Sequence, residues 1–214
     1  FPAPIVLALL INEVRHVAFK RTVQTISYLP HFISMVVLAG LVTTMLSTGG
    51  GFVNGLLQKL GYEPIAFLTD TRYFRSVLVT SAIWKEVGWS SIIYLAAIAG
   101  VDPQLYEAAK VDGAGRFRQI WHITLPGISH VIVILFILQI GHIMDAGFEQ
   151  VFLLYSPPVY DVADIIDTYV YRKGLVEVQY SFAAAVGLFK SVIAVILVVG
   201  ANYLAKKLDQ EGIW

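Results

Sequence analysis

Apolar residues come in long runs separated by short charged loops. Four runs, about Ile26 to Leu46, Phe74 to Ala99, Gly127 to Met144 and Phe182 to Leu204, reach or approach the roughly 20 residues that a helix needs to cross a bilayer. Phe1 to Ile11 is apolar but too brief to cross, so it reads as the inner end of a helix that begins upstream, and the chain is expected to be a fragment. It lacks the basic start and small-residue cleavage site of a signal peptide. Between the second and third runs lies a short charged loop with its own punctuation. Asp102 is placed to cap a helix that Pro103 opens, which suits proline's fixed φ and missing donor. That helix is predicted to run to about Val111, with Gly113 supplying a turn and a second short helix through Phe117 and Ile120 leading to Pro126. The result is a helix-turn-helix knob. Ala108, Ala109 and Ala114 are expected to keep one surface free of bulk, while Lys110, Arg116 and Arg118 make it basic, a shape suited to another protein's groove.

Composition agrees with a bilayer as solvent. Hydrophobic residues make up 57% of the chain and charged residues only 14%, with no net charge. Orientation follows from lysine and arginine in the loops. One set of connections holds Arg15, Lys20 and Arg21, then the knob's three cations, then Lys206 and Lys207. The opposite set holds Lys59, Arg72, Arg75, Arg172 and Lys173 against seven acids, from Glu63 to Glu177. The bias places the knob and the C-terminus in the cytoplasm and the turn around Gly49-Gly50-Gly51 outside.

Several chemistries have no residues to carry them. Cysteine is absent, which removes disulfides and thiolate metal sites. Phe189-Lys190-Ser191 lacks the glycine that a phosphate loop needs before its lysine, so ATP is expected to be handled elsewhere. The five histidines, His16, His31, His122, His130 and His142, show no ligand spacing.

The stretch Glu107-Ala108-Ala109-(x)3-Gly113-(x)9-Ile123-x-Leu125-Pro126 resembles the EAA loop of permeases from binding-protein-dependent ABC importers, at every fixed position. The resemblance implies an all-α polytopic transmembrane bundle of the type I ABC importer permease kind, in which this loop is the coupling helix that docks on a cytoplasmic ATPase subunit. It assigns coupling to Glu107, Ala108, Ala109, Asp112, Gly113, Ile123, Leu125 and Pro126. It also implies a second homologous permease, two ATPase subunits that carry ATP and magnesium, an extracytoplasmic solute-binding protein, and a multi-pass place in a bacterial inner membrane. No cofactor and no catalysis are expected on this chain itself. The reading treats residues 1–214 as one permease domain, with a coupling loop over 102–126 and an outer segment over 145–181.

Two places inside the runs are candidates for the solute's route, because charge at membrane depth usually faces a bundle interior or a wet cavity. One is Lys85, Glu86 and Trp89. Adjacent residues diverge by about 100° on a helix, so Lys85 and Glu86 point apart while Trp89 lies within a turn of both. Gly88 fits close helix packing. The other is Gln139, His142, Asp145 and Glu149, whose spacing predicts one polar stripe along the outer half of a helix, with Phe148 and Phe152 beside it. Amide, imidazole and carboxylate acceptors next to aromatic faces suit a sugar, whose hydroxyls need directional partners.

The outer segment, Asp161 to Arg172 followed by Gly174-Leu175 and Tyr180 to Leu188, is similar to carbohydrate permeases that serve oligosaccharides from polysaccharides. In that family the segment lies where the solute-binding protein docks. On residue pattern alone it is a short amphipathic helix with Ile165, Ile166 and Tyr169 turned inward. An ABC permease for amino acids or anions is the alternative within the class. A secondary transporter would need internal inverted repeats, which the sequence does not display, and an intramembrane enzyme would need catalytic pairs that are missing.

Overall fold

A computed structural model describes residues 1–207, which form helices and turns and no strand. In chain order the helices are α1 (Pro2–Glu13), α2 (Val17–Tyr28), α3 (Met35–Leu46), α4 (Phe52–Lys59), α5 (Thr71–Ala99), α6 (Pro103–Val111), α7 (Arg116–Gln119), α8 (Leu125–Gly127), α9 (Ser129–Gly141), α10 (Phe148–Leu154), α11 (Tyr160–Ala163), α12 (Ile166–Tyr171) and α13 (Tyr180–Lys207). Two π-helical turns, Ile120–Thr124 and Arg172–Val176, follow α7 and α12.

Two of the four expected spans are continuous. α5, with 29 residues, is about 43 Å long, and α13, with 28, about 42 Å. By length and composition α13 is the one described helix that is apolar enough to cross a membrane unaided; the bent pairs Val17–Phe32 with Met35–Leu46 and Arg116–Gly127 with Ser129–Gly141 are two further candidates. The run from Ile26 to Leu46 is therefore not one straight helix. Pro30 lacks a backbone donor and sits in a 3₁₀ turn, and Ser34 then caps α3 by accepting from the Val37 amide at 3.3 Å. The third run is shorter than expected, because α9 stops at Gly141.

The chain divides into two compact units. The first comprises Phe1–Pro30, Glu86–Met144 and Ser191 onward. Its core is Ala8, Tyr94, Ile98 and Ile128, with Ile5, Leu9, Val101 and Ile132 packed around them. Here α2 and α5 touch backbone to backbone. A Cβ on Gly88 would stand 1.9 Å from the Ser27 carbonyl oxygen, so only glycine permits the approach. The neighbouring hydroxyls are folded back onto their own helices, Ser27 to the Val23 carbonyl at 2.7 Å and Ser91 to the Gly88 carbonyl at 2.6 Å. Small residues thus supply the packing that drives helix association in lipid.

The second unit comprises His31–Lys85 and Asp145–Lys190, with Ala39, Phe74, Leu154, Val159 and Ala163 as its core. Its α3–α4 turn is held by one buried amide. Asn54 Nδ2 lies 2.9, 3.2 and 3.0 Å from the carbonyl oxygens of Leu46, Ser47 and Ile65, and its Oδ1 accepts the Ile65 amide at 2.8 Å. A buried amide satisfied on both ends ties two stretches of backbone, at 46–47 and at 65, to α4 at once.

Candidate functional site

The coupling loop has the predicted start and turn. Asp102 accepts the Gln104 amide at 2.9 Å, Pro103 opens α6, and the helix ends at Val111. Gly113 has φ +75°, a left-handed conformation in which a side chain is strained. The second arm is less regular than expected: α7 is one turn long and passes through the π-helical turn Ile120–Thr124 into α8. That arm and α9 meet at a 62° bend. Glu107, Ala108, Asp112, Gly113 and Pro126 are exposed, whereas Ala109, Ile123 and Leu125 are half-buried.

The knob's surface is not a small-residue face. Ala109 and Ala114 are half-buried and joined through the backbone, the Ala114 amide donating to the Ala109 carbonyl at 2.8 Å. The side chains that project are Val111, 88% exposed, Phe117, 82% exposed, with Leu105 and Trp121, among the exposed cations Lys110, Arg116 and Arg118. Bulky apolar residues scattered through a basic loop carry this surface in the sequence, beside the three alanines. An exposed apolar patch rimmed by charge is the ordinary anatomy of a protein-docking surface.

The structure separates the members of the first charged group. Lys85 Nζ donates to the carbonyl oxygens of His31 and Ile33, both at 2.7 Å. It thereby reaches two main-chain acceptors at the break before α3. Glu86 is half-buried and Trp89 exposed on the following turn.

The predicted stripe does not form on one helix. α9 ends at Gly141, Ala146 and Gly147 both have positive φ (44° and 67°), and α10 starts at Phe148. The reversal of hand breaks the helical register, so Gln139 and His142 belong to the end of α9 while Asp145 precedes a new helix and Glu149 lies in its first turn. Asp145, Phe148 and Glu149 do meet again, in a cavity of about 700 Å³ that they line with Gln150, Asp167, Tyr171, Tyr180 and Lys190. Lys190, 15% exposed, donates to Asp167 at 2.6 Å and reaches Asp145 at 3.5 Å. Beside the cavity Phe148 stacks on Phe152 at 5.4 Å, and Phe152 meets the Tyr171 ring edge at 4.7 Å. Gln150 anchors α10, its amide donating to the Leu78 carbonyl at 3.0 Å and the Ser81 hydroxyl at 2.8 Å. Lys190, Asp167, Tyr171 and Gln150 were missed because their partners lie far away in sequence.

In the outer segment α12 buries Thr168, not Ile166 or Tyr169, which are about 40% exposed. The Thr168 hydroxyl accepts the Ile165 amide at 3.0 Å and donates to Asp164 at 2.5 Å, so capping rather than apolar burial orients the helix. Asp164 is also gripped by Arg172 through two hydrogen bonds. The Arg172 guanidinium holds the Asp164 carboxyl below its ordinary range, and Asp164 in turn raises Arg172. Arg172 also lies over the Tyr160 ring, 5.6 Å from its centre.

The capped, glycine-turned loop and the cavity with its acids beside aromatic rings sit in a helical chain whose relatives are transport permeases. Residues 1–210 match the family of binding-protein-dependent transport system inner membrane components, and the chain belongs to it. It is 54% identical over its whole length to the polygalacturonan/rhamnogalacturonan transport system permease protein YteP of Bacillus subtilis (strain 168), of which it covers 67%. It is 29% identical to the arabinooligosaccharides transport system permease protein AraP of the same organism, over 99% of this chain and 67% of that one. Among solved structures, one chain of a bacterial alginate ABC transporter, in complex with an alginate pentasaccharide-bound periplasmic protein, superimposes with a TM-score of 0.97 at 48% identity, covering 99% of this chain and 74% of that one.

Proposed function

We propose that this chain forms half of the translocation path of an ATP-driven importer for an oligosaccharide released from a polysaccharide. A second homologous permease supplies the other half. Two cytoplasmic ATPase subunits carry ATP and magnesium, and an extracytoplasmic binding protein delivers the sugar to a multi-pass assembly in a bacterial inner membrane. The relatives that share its whole length support this reading, and the cavity suits it. Asp145, Glu149 and Asp167 offer acceptors for sugar hydroxyls, and Tyr171 and Phe148 offer rings for the apolar face of a pyranose. The knob, with Val111, Phe117 and the turn at Gly113, docks on the ATPase, and the helices rock between inward-open and outward-open states as the ATPases close.

The test is ATP hydrolysis by the purified complex in proteoliposomes, stimulated by its binding protein loaded from a panel of oligosaccharides, amino acids and inorganic anions. Stimulation and uptake with oligosaccharides alone are expected. Stimulation by an amino acid or anion instead would overturn the substrate class.

A further inference from the structure

The two arms of the coupling loop are tied together at their root. Tyr106, beside Glu107 on α6, places its hydroxyl 3.0 Å from the Thr124 hydroxyl, at the end of the π-helical turn of the other arm. Thr124 is 2% exposed, so its end of this contact is shielded from water that would compete for it. Just beyond, Gly127 packs against Val101, where a Cβ would stand 2.9 Å from the Val101 methyl. Between these ties and the turn at Gly113, Gln119 Nε2 donates to the Ala114 carbonyl at 2.8 Å. The first arm continues from α5 and the second leads into α9. A push on the knob therefore reaches both α5 and α9, and it reaches them together only while the arms stay joined.

We propose that the Tyr106–Thr124 hydrogen bond is a strut that makes the coupling loop move as one body, so that Tyr106 and Thr124 are positioning residues for the ATP-driven step. This rests on the docking role given above to the loop. The strut crosses at a π-helical turn, the least regular part of the second arm and the part most able to yield when pushed. Docking needs the exposed tip, and transmission needs the root, so the two functions are separable by mutation.

The experiment measures sugar transported per ATP hydrolysed, with complex yield as control, in proteoliposomes holding the full complex and its loaded binding protein. Tyr106→Phe removes one oxygen and keeps the ring. It is expected to lower transport per ATP about fivefold while stimulated hydrolysis persists, a size typical of residues that modulate coupling between distant sites. Thr124→Val should lower it at least as far, since it also removes the hydroxyl's 3.5 Å bond to the Gln119 carbonyl; Thr124→Ser should restore the ratio, and the double variant Tyr106→Phe with Thr124→Val should be no worse than Thr124→Val alone, because the bond between the two hydroxyls is already lost in each. Gly113→Val is measured beside them. If it abolishes stimulated hydrolysis while Tyr106→Phe leaves the ratio at the wild-type value, the strut is refuted and docking stands. If Gly113→Val leaves stimulation intact, the docking role itself fails. A parallel fall of yield, hydrolysis and transport with an unchanged ratio would reduce the bond to ordinary packing and overturn the proposal.

Discussion

Replacing Gly88 by alanine should destabilise the chain even though alanine is the better helix former. A new Cβ would lie 1.9 Å from the Ser27 carbonyl oxygen and 2.3 Å from its carbon, and both are backbone atoms that no rotamer change can move aside. Restoring ordinary contact requires α2 and α5 to part by about 1.5 Å, and forced overpacking of this kind costs about 1–3 kcal/mol, here at the upper end because main chain is involved. Alanine's propensity returns about 1 kcal/mol. The net loss of about 2 kcal/mol corresponds to a fall of roughly 4–8 °C in melting temperature for a chain of this size. Thermal unfolding of the detergent-purified complex measures it, with Gly187→Ala on α13 as the control, since a Cβ there meets nothing within 4 Å. An unchanged melting temperature for Gly88→Ala would refute the close α2–α5 contact.

Gly113→Val forces a β-branched side chain into a left-handed turn at φ +75°, so binding-protein-stimulated ATP hydrolysis should disappear while membrane insertion, read by fractionation, persists. Asp145→Asn should lower uptake with assembly intact and Asp145→Ala should lower it further, whereas loss of complex yield first would mark the contact to Lys190 as structural. The Asp164–Arg172 pair carries a pH signature: a carboxyl depressed in the folded state stabilises above its ordinary value of 3.8, and that stability fades as pH falls below it. Proteolysis of the outer segment should therefore accelerate below that pH, and the step should vanish in Asp164→Asn. A cysteine at Gly115 should be shielded from an impermeant thiol reagent in intact cells and one at Val162 labelled; the reverse would invert the assigned orientation.

The coupling loop was legible because its determinants are local. A cap at Asp102, proline at the first helical position and glycine at the left-handed turn each act within three residues, and all three appear. The outer cavity was half legible. Asp145, Phe148 and Glu149 were singled out as a stripe, yet they meet through a chain reversal at Ala146–Gly147 that helical periodicity cannot anticipate. Lys190 looked like part of a failed phosphate loop, since its partners stand 23 and 45 residues away. The break in the first apolar run is marked by Pro30 and Ser34, but the hydropathy signal runs uninterrupted across both.

The Lys85 contact gives the order of synthesis a structural meaning. The carbonyls it satisfies belong to residues 54 and 52 positions earlier, so when the segment through α3 leaves the ribosome its ammonium partner does not yet exist. Until α5 follows, the carbonyls of His31 and Ile33 lack the ammonium that they meet in the finished fold. Lys85, for its part, is costly to bury until those oxygens are waiting for it. The contact therefore closes only once both segments have been made, so the break before α3 is completed by a residue that the chain supplies more than fifty positions later.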